Sequence, residues 1–137
     1  MRKHFSLCVA LLTMMSCNDP EYVSNTFMIE NRTDVHVDCH AHIYNDYSTS
    51  VCLQPGERKA FHHAEGPRGI YMVDRIFNSL SVIADTLQLH LWEEFTDPNY
   101  WVDQQENTAY GQTYDTQKDT CTFVLTGEML RQRAEKH

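Results

Sequence analysis

Val35-His36-Val37-Asp38-Cys39-His40-Ala41-His42-Ile43 is the stretch that decides the fold. Val35, Val37, Cys39, Ala41 and Ile43 recur at every second position, and His36, Asp38, His40 and His42 fill the places between. Alternate residues of a strand point to opposite faces, so this period predicts a strand with one buried and one solvated face. Upstream, Phe27 and Ile29 alternate with Met28 and Glu30, and Asn31-Arg32-Thr33-Asp34 reads as a turn, being rich in residues that bond their own backbone. Downstream, Asn45-Asp46 begins a turn and Thr49 to Leu53 make a second strand. Gln54-Pro55-Gly56-Glu57 carries Pro and Gly where a type II turn needs them.

The same grammar continues. Arg58 to His63 can be a strand, and Glu65 to Gly69 a loop before the apolar run Ile70-Tyr71-Met72-Val73. Leu80, Val82 and Ala84 alternate, Asp85 turns the chain, and Leu87, Leu89 and Leu91 alternate against Gln88, His90 and Trp92, which predicts a hairpin. Thr96 to Asn99 is a further turn, and the polar segment Asp103 to Lys118 reads as loop with room for one short element. Thr120 to Leu125 is the last strand, with Cys121, Phe123 and Leu125 on one face. Glu128 to Glu135 suits a short helix, capped by Thr126 and with Glu128 at its positive end. About seven short strands at this spacing predict an all-β, antiparallel β-sandwich with a short C-terminal helix. No long amphipathic helix is available for β-α-β units, and no solenoid-period repeat is present.

Ahead of this domain, Arg2 and Lys3 precede an apolar run from Phe5 to Met15, and the small residue Ser16 stands before Cys17. A spanning helix needs about 20 apolar residues, so the run has the layout of a secretory signal over residues 1–16. Met14-Met15-Ser16-Cys17 resembles a bacterial lipobox, in which the cysteine is lipidated and becomes the mature N-terminus. The resemblance implies a membrane tether through Cys17, with several acyl chains where one alone holds only marginally. Asn18-Asp19-Pro20-Glu21 continues as a polar spacer, so residues 17–24 are expected to be tether and linker and residues 25–137 a single domain. Acidic residues early after the cysteine also resemble the signal that sends some Bacteroidetes lipoproteins to the cell surface.

Three further segments carry a resemblance of the whole domain. Phe27-Met28-Ile29-Glu30-Asn31-Arg32-Thr33, Leu53-Gln54-Pro55-Gly56-Glu57 and Thr122-Phe123-Val124-Leu125-Thr126 before a terminal helix resemble the small uncharacterised lipoproteins of Bacteroidetes. That resemblance implies an immunoglobulin-like or related sandwich and an outer-membrane, cell-envelope address. It brings no catalytic residues and no cofactor.

About 120 residues remain after the signal, enough for one modest core and too few for a barrel enzyme of about 250 residues. The formal charge of −8 becomes −10 once the cations Arg2 and Lys3 leave with the signal. An acidic domain is a poor match for nucleic acid, which is bound by Lys/Arg patches. Cys8 leaves with the signal and Cys17 takes lipid, so Cys39, Cys52 and Cys121 are the disulfide candidates in an oxidising compartment. A two-residue Asn45-Asp46 loop sets Cys39 opposite Cys52; a longer loop breaks that pairing and leaves Cys121 to compete. No C-x-x-C spacing, nucleophile elbow, P-loop or dinucleotide turn is present.

Two groups of residues could carry chemistry. Asp38, His40 and His42 spell D-x-H-x-H, which resembles the first metal-ligand strand of amidohydrolase-type barrels, an architecture this chain is too short to build. Side chains two apart on a strand share a face, so Asp38, His40 and His42 could grip one metal ion if His36, or a histidine of the pair His62 and His63, completed the set. The plainer reading is a solvated strand face. Trp92, Phe95, Tyr100, Trp101, Tyr110 and Tyr114 form an aromatic region in which Trp92, Tyr100 and Trp101 could bind a sugar ring or protein partner, or plug the ends of the sandwich. The expected role is therefore a non-catalytic, lipid-anchored envelope protein that binds or scaffolds an envelope protein or glycan. A carbohydrate-binding module and a small metal-binding protein are the alternatives.

Overall fold

A computed structural model of the chain describes residues 22–107 and 116–136. The expectations for the signal segment, for Cys17 and for Tyr110 and Tyr114 lie outside the described residues. Among the described residues eight strands run in chain order: β1 Tyr22–Arg32, β2 Val37–Ile43, β3 Tyr47–Leu53, β4 Arg58–Gly66, β5 Phe77–Ala84, β6 Leu87–His90, β7 Trp101–Asn107 and β8 Thr116–Thr126. The described residues also form three short helices, α1 Val73–Ile76, α2 Trp92–Phe95 and α3 Gly127–Glu135, and two 3-10 turns, Gly69–Met72 and Pro98–Tyr100.

The strands form two four-stranded sheets, β4-β1-β8-β7 and β3-β2-β5-β6. Their facing sides share one core. Phe27, Ile29, Phe123 and Leu125 come from the first sheet and Val37, Leu53, Phe77, Leu80, Val82 and Leu89 from the second, all fully buried. Phe95 of α2 fills the centre, with ring centroids 5.2 Å from Phe123 and 5.3 Å from Phe77 in edge-on geometry. Burying each such ring is worth about 1.5–3 kcal/mol, before the added benefit of edge-to-face contact.

Two features correct the expected all-antiparallel, seven-strand arrangement. β1 and β8 pair in parallel over their whole length, from Tyr22 opposite Thr116 to Arg32 opposite Thr126. The segment expected to be loop with room for one short element contributes the greater part of β7, which pairs antiparallel with β8. After Trp101, β7 runs Val102-Asp103-Gln104-Gln105, exposed at every position, so no apolar alternation marks it. It lies at a sheet edge, where a polar strand guards against pairing with other chains.

The β2–β3 hairpin fixes the register of the second sheet. Ile43 pairs with Tyr47, so the loop is the three residues Tyr44-Asn45-Asp46, with Asn45 at φ 70° and Asp46 at φ 65°. Asn and Asp tolerate this left-handed backbone. Asp38 therefore faces Cys52, and Cys39 faces Val51. The Cys39–Cys52 pairing that a two-residue loop would allow does not form: Cys39 points into the core and Cys52 outward, and Cys39, Cys52 and Cys121 are all free thiols. The Gln54–Glu57 turn closes as expected, with Gly56 at φ +85° and the Glu57 N–H donating to the Gln54 carbonyl at 3.0 Å.

The C-terminal helix α3 also matches its sequence signals. Thr126 Oγ1 accepts from the Met129 N–H at 3.2 Å, and Met129 and Leu130 bury against the core. Arg133 ties the helix to α2, pairing with both Glu94 oxygens and, at 3.0 Å, with Glu93. Among the described residues no helix is long and apolar enough to cross a membrane.

Candidate functional site

The outer face of the β3-β2-β5-β6 sheet gathers the histidines. Because β2 lies inside the sheet, its outward residues are flanked on both sides. One rung runs Cys52, Asp38, Ile83, Gln88, and the next runs Ser50, His40, Ser81, His90. His42 follows between Ser48 and Ser79. These rungs line a trough of about 470 Å³.

Hydrogen bonds hold the trough's polar groups in place. His40 Nδ1 lies 2.6 Å from Ser50 Oγ, and His90 Nδ1 lies 3.2 Å from Ser81 Oγ. The His40 and His42 rings meet edge to face at 4.9 Å. At one end, His36 Nε2 is 2.7 Å from Asp38 Oδ1. The neighbouring Cys52 thiol, and then the hydrogen bond with His36, hold the Asp38 carboxyl below the ordinary range. The same carboxylate raises the Cys52 thiol. Inside the sheet, burial pushes the Cys39 thiol up to about 12, so it is inert.

The predicted metal set is only partly assembled. The donor atoms of His36 and Asp38 come within 4.8 Å of one another and of Cys52 Sγ, whereas His40 and His42 extend along the trough. His62 and His63 complete nothing here, since they lie on β4 of the other sheet. His62 packs against Phe27 and Phe77, and His63 bonds the hydroxyls of Ser24 and Thr26. Sequence alone could not identify Cys52, Ser50, Ser81, Gln88 and His90 as neighbours of this strand. Their outward positions are readable, but which strands flank β2 is not.

The aromatic group falls on the side of the core reading. Trp101 is 8 % exposed, and its indole N–H donates to the Phe95 carbonyl at 2.7 Å, so it belongs to the core. Trp92 and Tyr100 are half-buried against the same core.

No family model, curated protein or solved structure matches the chain. The functional reading therefore rests on the chain's own surfaces. On the inner side of the sheet every one of these outward histidines has a buried core residue as its neighbour in sequence, Val37, Cys39, Ala41 or Leu89, so the trough floor is backed by the core. Its walls offer imidazole, hydroxyl, carboxamide, thiol and carboxylate groups beside the exposed side chain of Ile83. That mixture can hydrogen-bond a small polar ligand while covering an apolar part of it.

Proposed function

We propose that this is an exported, lipid-anchored envelope protein with a non-catalytic binding role, and that the histidine-lined trough is its working surface. One observation carries the reading: His40, His42 and His90 share a single face with Ser50, Ser81 and Gln88 around a cavity of ligand size. The lipobox-like Met14-Met15-Ser16-Cys17 supports the anchor and the envelope address. Two four-stranded sheets packed over an aromatic centre, with the chain crossing between them after β1, β3, β4 and β6, support an immunoglobulin-like class. The burial of Trp101 turns the reading away from an aromatic sugar platform.

Two experiments test it. Labelled fatty acid incorporates into the full chain and not into Cys17→Ala; equal labelling, or none in either, overturns the anchor. A small-molecule screen by thermal shift yields stabilising ligands whose effect disappears in the His40→Ala/His90→Ala double variant. Hits that survive the double variant unchanged overturn the trough as the binding surface. A second reading, a metal ion held at the trough's end, is favoured by the convergence of His36, Asp38 and Cys52.

A further inference from the structure

A second cluster of donors lies in the other sheet, on its inner side beneath the Gly69–Met72 turn. Register assembles it: Asn25 of β1 pairs with Asp119 of β8, and Asp103 of β7 pairs with Cys121 of β8. The ligand atoms of Asp103, Asp119 and Cys121 lie within 4.8 Å of one another. Asp119 and Cys121 are buried, while Asp103 reaches solvent.

Two carboxylates beside a thiol at the margin of a core are costly without a counter-charge. Among the described residues neither carboxylate has an ion-pair partner. The Gly69 N–H donates to Asp119 Oδ2 at 2.9 Å, and the Cys121 thiol lies 3.6 Å from Asp103 Oδ1 and 3.7 Å from Asp119 Oδ2. Asp119 Oδ1 has no partner among the described residues.

Asn25 adds an independent observation. It is fully buried, and its Nδ2 donates to the Val23 and Pro67 carbonyls, each at 3.1 Å. A flipped amide would set oxygen against oxygen, so the orientation is fixed. Its Oδ1 is then left without a partner among the described residues. That oxygen faces the cluster. A β-carbon on Gly69 would lie 3.0 Å from Asn25 Oδ1, 3.2 Å from Asp119 Oδ2 and only 2.3 Å from Cys121 Sγ. Asn25 Oδ1, Asp119 Oδ2 and Cys121 Sγ thus gather against the same flank of Gly69, and only glycine lets the backbone pass so close over them.

We propose that Asn25, Asp103, Asp119 and Cys121 form a Zn²⁺ site. Zinc accepts thiolate and carboxylate ligands together in a tetrahedral set. Calcium and magnesium take oxygen donors, and Cu(I) prefers sulfur. On binding, the Cys121 S–H bond breaks, its proton goes to solvent, and the sulfur lone pair forms the S–Zn bond. Three ligand negative charges then meet the two positive charges of the ion. Four protein donors from β1, β7 and β8 make a closed, structural clamp that joins three strands, separate from the histidine trough on the other sheet.

Cobalt(II) and zinc(II) titrations of the full chain test the site. One Co²⁺ per chain is expected, with a sulfur-to-cobalt charge-transfer band that persists in Cys52→Ser, vanishes in Cys121→Ser and is displaced by Zn²⁺. Asp103→Asn alters an exposed residue, so the fold is spared, and it weakens Zn²⁺ binding at least about tenfold. No band in the wild-type chain overturns the site. So does a band lost in Cys52→Ser and kept in Cys121→Ser, which would instead place the ion beside His36. If Cys121→Ser does not fold, Asp103→Asn decides alone, and wild-type Zn²⁺ affinity in that variant overturns the proposal.

Discussion

Asp38 stands directly across the β2–β3 ladder from Cys52, and the donor atoms of the two side chains lie within 4.8 Å of each other. The thiolate is the form that reacts with alkylating agents. The neighbouring carboxylate raises the Cys52 thiol, so less thiolate is present at a given pH. Iodoacetamide at about pH 8 should label Cys52 in the native chain several-fold more slowly than a cysteine in a short peptide, and Asp38→Asn should speed it. Buried Cys39 should resist labelling until the chain unfolds. Mass spectrometry of timed samples reads all three rates, and an Asp38→Asn rate equal to wild type would break the link.

Asn31 fastens the first crossing between the sheets. Its Nδ2 donates to the Val35 carbonyl at 2.8 Å and the Leu53 carbonyl at 3.1 Å, and its Oδ1 accepts from the N–H and the hydroxyl of Thr33. The residue is fully buried, so removing the amide strands several polar groups away from water. Asn31→Ala is expected to lower unfolding free energy by about 2–4 kcal/mol. Urea denaturation checks it; a loss under 1 kcal/mol, on the order of a single ordinary hydrogen bond, would show that water satisfies these groups.

His62 links stability to acid. Burial against Phe27 and Phe77, and then the charge of His63, lower its affinity for a proton in the fold. The unfolded chain takes up that proton near pH 6.5, and the folded chain only at lower pH. The fold therefore holds this contribution above about pH 6.5 and loses it as pH falls through the depressed value. His62→Gln should flatten the decline in urea midpoint between pH 7 and pH 5. Parallel curves for variant and wild type would remove His62 from the acid response.

Arg133 carries the docking of α3. Its guanidinium grips the nearly buried Glu94 with two nitrogens, and Glu93 joins from the rim. Arg133→Met leaves the Glu94 carboxylate buried without its cation, at a cost of about 1–3 kcal/mol. Hydrogen exchange should quicken first in the Gly127–Glu135 amides and less in β2 and β5. Uniform quickening would mean that α3 and the sheets open as one unit.

Much of the fold was readable from local pattern. Period-two runs gave β2 and the β5–β6 hairpin, and Pro55-Gly56 and Thr126 marked a turn and a helix start. β7 stayed hidden because its pattern beyond Val102 is polar on both faces, and strand identity there comes from pairing with β8. The parallel β1–β8 pair has no local signal either, since it joins segments at opposite ends of the domain. One residue of loop length was decisive for the thiols: Tyr44 in the β2–β3 turn moved Cys52 from opposite Cys39 to opposite Asp38. His36, Asp38, His40 and His42 were visible as a face, but their partners from β3, β5 and β6 depend on sheet order. Asp103 and Asp119 looked like ordinary surface acids, because only three-dimensional pairing brings them to Cys121 and Asn25.

The parallel β1–β8 ladder also has a mechanical consequence. β1 is bonded along one side to β4 and along the other to β8. A pull applied to the chain ahead of Tyr22 enters the domain at the end of this strand and acts along its axis. Both ladders then bear the load in shear, with many bonds strained at once, whereas an edge strand pulled sideways peels open one bond at a time. Rupture under load is governed by the rate of unfolding rather than by equilibrium stability. A pull on Tyr22 would thus load a strand that is bonded along both of its sides.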